Sequence, residues 1–267
     1  MFTYKSWENF CSTLKDMNIR CITVKDVTKN VINELNNFVI IKHDIETNVK
    51  KALDIATIEN KYNVKATYYF QGYLLNENQN VKMMKSIKEL GHEIGYHYDV
   101  LDENRGDFEK AYDNYINYIK RFKEKGIEIE SVCPHGNPVL SRNGWESNAS
   151  FLSNIIIRNR LSIAGYDYID AIVDIKNKNM NNLKFISDAS YSWNNGEFYN
   201  IDFVINYLID NNCIFISTHP HRWSKYPFIP MLRSKIFIAT KKVTKILYKN
   251  KILKLIFNKY YHLAKKI

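Results

Sequence analysis

The feature that most constrains the fold is alternation. Short β-rich apolar runs and amphipathic helical patterns succeed one another about six or seven times along the chain. An apolar run of this kind is too short for a helix and reads as a strand buried on both faces. Such runs lie at 38–42, 65–70, 93–97, 129–133, 183–186 and 213–218, with shorter or alternating candidates at 21–24 and 168–175. Helical patterns fill the gaps. Tyr4 to Met17 places Trp7, Phe10, Cys11 and Leu14 on one face, and Val27 to Leu35 suits a short helix. Thr47 suits the N-cap of a helix reaching about Tyr62. Gln79–Leu90 and Asp107–Lys125 are helical segments closed by Gly91 and Gly126, and Ile201–Ile209 is the last before the tail. No repeat and no Gly/Ser linker interrupts this order, so one parallel α/β domain is expected, barrel or doubly wound. A G-x-G-x-x-G motif and a Walker loop are both absent, which disfavours a nucleotide-binding sheet.

Charge divides the chain in two. Residues 231–267 hold ten Lys, one Arg and no acid, more than the whole net charge of +10, which leaves 1–230 at −1. A neutral body with a basic tail argues against nucleic acid as the partner. Cys11, Cys21, Cys133 and Cys213 form no C-x-x-C pair and suit neither a zinc cage nor a disulfide scaffold, so free thiols in a reducing cytoplasm are expected. MFTYKSWENF lacks the basic-then-apolar pattern of a signal peptide, and no run of 18 apolar residues offers a membrane span.

Polar residues gather where the strands end. The run FVIIKHDIE delivers His43, Asp44 and Glu46, and extended geometry turns Asp44 and Glu46 toward the same side. GHEIGYH delivers His97, Tyr98 and Asp99; the next strands deliver His135, Asp188, and His219 with His221. Six of the seven histidines lie in these stretches, counting His92. An acid–His–His set with room for water is the donor set of catalytic zinc or another divalent ion. A non-ligand carboxylate beside it can act as base, and a histidine opposite can protonate a leaving group. His43 and His92 read as packing or orienting residues.

These motifs resemble those of the NodB-type polysaccharide deacetylases. HDIE, KATYYF, GHEIGYH, CPHGNP, SDASYSW and STHP occur in that family's order over about residues 38–225. The resemblance implies a distorted (β/α) barrel of about seven parallel strands over 1–230 and removal of an acetyl group from an N- or O-acetylated sugar. It makes Asp44 the base, His219 the acid and Asp188 its support, with Glu46 and His97 as metal ligands. Leu101 stands where the family has its second metal histidine, so the third ligand falls to Asp99, with Asp102 and His135 as alternatives. The implied cofactor is a divalent ion, zinc foremost. His135, Trp193 and Tyr98 are expected to line the substrate site. Cys133 replaces the groove arginine, and His135 is the expected substitute for that charge. Two other readings remain open: a barrel that binds a glycan or partner without catalysis, and a metal-independent amide hydrolase.

The tail, 231–267, reads as a basic amphipathic helix with Val243, Ile246, Leu247, Leu253, Ile256, Phe257, Tyr260 and Ala264 in one stripe. That pattern suits peripheral contact with the inner face of a membrane and a lipid-linked glycan from surface-polysaccharide synthesis as substrate.

Overall fold

The computed structural model describes residues 2–27, 37–137, 140, 142–177, 183–189, 192–193, 201–209 and 213–247. The helix expected over Val27–Leu35 falls almost wholly outside the described residues, as does the tail beyond Leu247.

Among the described residues eight strands form one sheet, and every pairing in it is parallel. They are β1 (Arg20–Ile22), β2 (Phe38–Ile45), β3 (Thr67–Phe70), β4 (Glu93–Tyr98), β5 (Ser131–Pro134), β6 (Ile169–Asp170), β7 (Lys184–Ser187) and β8 (Ile214–Thr218). The spatial order is β6-β5-β4-β3-β2-β8-β7, with β1 added beside β2. Among the described residues β6 and β7 do not pair with each other, so the sheet curls into an open, distorted (β/α) barrel. Outside it lie α1 (Tyr4–Asp16), α2 (Val49–Lys61), α3 (Asn78–Glu89), α4 (Phe108–Glu124), α5 (Ile155–Ile163), α6 (Asp202–Ile209) and α7 (Phe228–Leu247).

The pleat of each strand sorts its residues into two cores. On β2, Val39, Ile41 and Ile45 join Trp7, Leu14, Ile55 and Ala56 in the layer between sheet and helices. The intervening Phe38 and Ile40 meet Tyr69, Cys133 and Phe215 inside the barrel. Gly95 of β4 faces the same interior: a Cβ there would stand 2.3 Å from the Tyr69 ring, so only glycine admits the tyrosine.

Two local expectations are corrected. The cap of α2 is Asn48, not Thr47; it adopts a left-handed φ of 52° and its side chain accepts from Lys51 N at 3.2 Å. Asparagine tolerates that backbone where threonine does not. The alternating segment Tyr168–Ile175 is strand only at Ile169–Asp170 and then turns into a π-helical stretch, Ala171–Lys176. The cause is side-chain competition for the backbone. Asp170 accepts from Ile172 N and Val173 N, both at 2.8 Å, and Asp174 accepts from Asp170 N at 2.9 Å.

One carboxylate joins the helical layer to the sheet. Glu59 of α2 is fully buried and accepts from Trp7 Nε1 (3.1 Å) and the Tyr68 hydroxyl (2.5 Å) and pairs with His43 Nε2 (2.8 Å). His43 Nδ1 in turn meets the Thr218 hydroxyl at 2.5 Å, and His92 Nδ1 lies 3.7 Å from Glu59. His43 and His92 are thus structural, tying α1, α2, β2, β3 and β8 together. Burial alone would raise the Glu59 carboxyl above its ordinary 4.5, but His43, His92 and the Tyr68 hydroxyl together outweigh it and hold it lower. Its stabilising contribution is therefore present above about pH 4.5 and lost as the pH falls through the lower folded value. Glu59→Ala strands three buried donors and should cost about 3–5 kcal/mol, read as a lower urea midpoint; a loss under 1 kcal/mol would show the network to be dispensable.

Candidate active site

The site lies at the carboxyl ends of the strands, the end where parallel α/β folds gather their loops. The interior phase of β2 continues from Phe38 and Ile40 to Lys42 and Asp44, and Glu46 follows just past the strand. Pairing in register sets His97 of β4 beside Cys133 of β5, and His135 follows two residues later. The interior phase of β8 runs from Phe215 to His219.

Lys42 is a buried lysine that the sequence reading passed over. Its Nζ lies 2.7 and 2.6 Å from the two oxygens of Asp44, and both side chains are almost wholly withdrawn from solvent. Burial alone would raise the Asp44 carboxyl, but Lys42, with His97 and His219, drives it far below the usual carboxylate range. Burial likewise lowers Lys42, and Asp44 more than offsets it, so the ammonium stays charged. Cys133 Sγ is 4.0 Å from the same carboxylate, and burial pushes its thiol well up. A fixed positive charge is therefore held close to Cys133 by Lys42, which reaches the shared Asp44 carboxylate from β2 across the barrel interior.

Glu46, His97 and His135 each bring one ligand atom within 4.8 Å of the others. Asp44, His97 and Cys133 make a second such group. The first fits a divalent ion better. In the second, Asp44 is already neutralised by Lys42, and its thiol is held protonated. His97 Nδ1 is 3.0 Å from the Cys133 carbonyl; donation there leaves Nε2 with its lone pair for the cavity. Burial pushes the His97 imidazole down to about 4, which keeps it neutral, the form that can act as a ligand. His135 sits between Glu46 Oε1 and Asp99 Oδ1, each 3.3 Å from one of its ring nitrogens. Burial would lower it, yet Asp99 and Glu46 raise it to about 10. The carboxylates there outnumber the fixed cations, the electrostatic setting a bound cation relieves.

His219 faces this group from the other side. Its Nε2 is 3.9 Å from both Asp44 Oδ2 and Glu46 Oε1. Its Nδ1 meets Asp188 Oδ1 at 2.6 Å, and its backbone N–H donates to Asp188 Oδ2 at 3.0 Å. Asp188 also accepts from Arg222 Nη1 (3.1 Å) and Trp223 Nε1 (3.1 Å). Burial would raise the Asp188 carboxyl, but His219 and Arg222 hold it low, so it stays ionised and fixes the imidazole. His221 stands near Glu46, and burial takes its ring down to about 3.

Four expected site residues stand elsewhere or act differently. Asp99 joins neither candidate group; it accepts from Asn148 Nδ2 at 2.7 Å and braces His135, which is the residue that stands with Glu46 and His97. Asp102 is turned away by Arg142, with bonds of 2.7 Å to each oxygen. Tyr98 is no groove residue: it is fully buried among Tyr96, Tyr115 and Phe151, with its hydroxyl donating to Asp170 at 2.7 Å. Trp193 is likewise a core aromatic, packed on Phe2 and Trp223. Leu101 is fully buried in the helix-side core. Asn148 was also missed, although it joins Leu101 N, Asp102 N, Asp99 and the His135 carbonyl in one hub.

No family model matches this chain, and no curated protein does. Solved structures do resemble it. A Streptococcus mutans CE4 esterase is 14% identical with a TM-score of 0.46, covering 80% of this chain and 87% of that one. A family 4 carbohydrate esterase from Streptomyces lividans in complex with acetate is 16% identical with a TM-score of 0.41, covering 78% and 90%. A CE4 family pseudoenzyme from Bacillus anthracis is 12% identical with a TM-score of 0.42, covering 68% and 54%. Strand order and register define the fold independently of these likenesses.

Lys42→Met removes the counter-charge of a buried carboxylate and should cost about 3–5 kcal/mol in urea unfolding, while Lys42→Arg should retain most of the stability. The double variant Lys42→Met/Asp44→Asn removes both charges and should recover part of the loss. Strict additivity of the two single changes would show that the pair is not coupled.

Proposed function

We propose that this protein is a metal-dependent deacetylase acting on an N- or O-acetylated sugar. One observation carries the reading: Asp44, the Glu46–His97–His135 group and the His219–Asp188 pair converge on one open barrel end, with His219 Nε2 3.9 Å from two of the carboxylates. Glu46 and His97 would hold the ion together with His135, which would give up a proton on binding; two imidazoles with a carboxylate are a donor set of catalytic zinc. A divalent ion bound there supplies Lewis acidity toward the acetyl carbonyl and toward water. Asp44 takes the proton of the attacking water, and Lys42 keeps that carboxylate ionised and aimed. His219 holds a proton at Nε2 for the departing amine or alcohol, and Asp188 fixes Nδ1. The finer reading is a step of surface-polysaccharide assembly on a lipid-linked glycan at the cytoplasmic face of the membrane.

A binding-only barrel is the second reading. Lys42 favours it, because its ammonium occupies both oxygens of the proposed base. Elemental analysis and acetate release separate the two. The first reading expects about one equivalent of zinc per chain, lost in His97→Ala and in His135→Ala. It also expects acetate from N-acetylated chitooligosaccharides. Asp44→Asn, whose amide oxygen still accepts from Lys42, should cut that release about 10²–10⁴-fold with metal content unchanged. No bound ion after adding zinc, cobalt and nickel would remove the metal-dependent reading. Bound metal with Asp44→Asn as active as the parent would remove Asp44 as base.

A further inference from the structure

The segment that leaves His219 is pinned at several points before α7 begins. Lys51 Nζ donates to the carbonyls of His221 (2.9 Å) and Trp223 (2.6 Å). Ser224 exchanges backbone bonds with the N-terminus: its N–H donates to Phe2 O at 3.1 Å, and its carbonyl accepts from Tyr4 N at 3.0 Å. Trp223 is buried against Trp7, Phe2 and Trp193. Arg233 then reaches back from α7 to the His221 carbonyl at 2.9 Å. The first two turns of α7 are therefore held on the rim of the candidate site. Phe228 follows His219 by nine residues, a contour of at most about 30 Å.

Those turns expose an apolar face. Tyr226, Phe228, Met231, Leu232 and Ile236 are 50–61% exposed. Phe228, Met231, Leu232 and Ile236 fall at i, i+3, i+4 and i+8, one side of the helix, while Pro230 is buried and Ile229 partly so. Lys225, Arg233 and Lys235 lie among them, all exposed. From residue 211 to residue 267 the chain has no Asp or Glu. An apolar stripe whose own segment carries cations and no acid, with Asp54 of α2 the nearby carboxylate, matches the boundary of an anionic bilayer, where the stripe enters the acyl edge and the cations meet headgroups. A nucleic acid would leave the apolar stripe unsatisfied, and a second copy of this helix would set cation against cation. No helix among the described residues is long and apolar enough to cross a membrane, so the helix would lie along the surface.

We infer that Tyr226, Phe228, Met231, Leu232 and Ile236, with Lys225, Arg233 and Lys235, form a seat for an anionic lipid surface on the rim of the barrel's open end. The seat stands on this geometry alone and does not require the chain to be a deacetylase. It differs from attachment by the rest of the tail, 237–267, because the seat is fixed to the barrel through Arg233 and Lys51 and so sets the angle at which the site meets the bilayer.

The test uses the full chain and sedimentation with two kinds of vesicle, phosphatidylcholine alone and phosphatidylcholine with phosphatidylglycerol. The parent should bind the anionic vesicles at least tenfold more tightly than the neutral ones, and 0.5 M salt should weaken that binding. Phe228→Ser/Met231→Ser/Leu232→Ser should lose at least tenfold in anionic-vesicle binding with an unchanged thermal melt. Ile155→Ser/Ile156→Ser removes a still more exposed apolar pair on α5 and should bind as the parent does. Unchanged binding in the α7 variant would overturn the inference and leave attachment to the distal tail. A parent that is dimeric and ignores vesicles, and an α7 variant that is monomeric, would overturn it in favour of self-association.

Discussion

Everything in this barrel depends on the pleat of β2. The strand is central, paired with β1 and β3 on one edge and β8 on the other, and all eight of its residues are buried. Burial on both faces means each residue must suit one of two environments, chosen by its parity. Val39, Ile41, His43 and Ile45 belong to the helical layer, where the one polar member finds Glu59. Phe38, Ile40, Lys42 and Asp44 belong to the barrel interior, which changes from apolar to ionic along its length. Slipping the register by one residue would send Asp44 into the helix layer and His43 into the site, with neither partner set in place.

The interior charges are arranged to hold one another. Lys42 spends its charge on Asp44, Arg222 on Asp188, and Arg142 on Asp102. That leaves Glu46 and Asp99 to share His135. Each pair is drawn from different segments of chain or from alternate residues of one strand, so the ionic layer also clamps the carboxyl ends of β2, β4, β5, β7 and β8. A site made this way is preorganised: its side chains are locked by partners before anything binds.

The parallel α/β architecture was legible because buried parallel strands are short, apolar and evenly spaced. Asp44, Glu46, His97, His135, Asp188 and His219 could be picked out because polar residues at strand ends stand out against apolar runs. The same rule that turned Asp44 and Glu46 to one side also turns Lys42 with them, so Lys42 was open to the reading and was overlooked as a strand residue. Glu59 and Asn148 carried no such signal: an acid within an amphipathic helix and an asparagine in a loop normally face water. Tyr98 and Trp193 were misplaced because aromatic residues in polar motifs look like ligand platforms, and only packing shows that they fill the core. The Tyr168–Ile175 segment failed for another reason, since alternation cannot register two aspartates capturing backbone N–H groups.

The pairing of β2 also sets an order of events in synthesis. Its partner β3 begins within about 25 residues, but His43 meets Thr218 across 175 positions of chain. Until β8 emerges, one edge of this central strand stands bare, offering a row of unpaired amides and carbonyls to any extended neighbour. The slow step of folding should therefore be a late, long-range closure rather than the early growth of β2 through β5. A nascent chain halted before residue 214 would be most of a barrel with its central seam unzipped, a species kept in solution only while something else covers that edge.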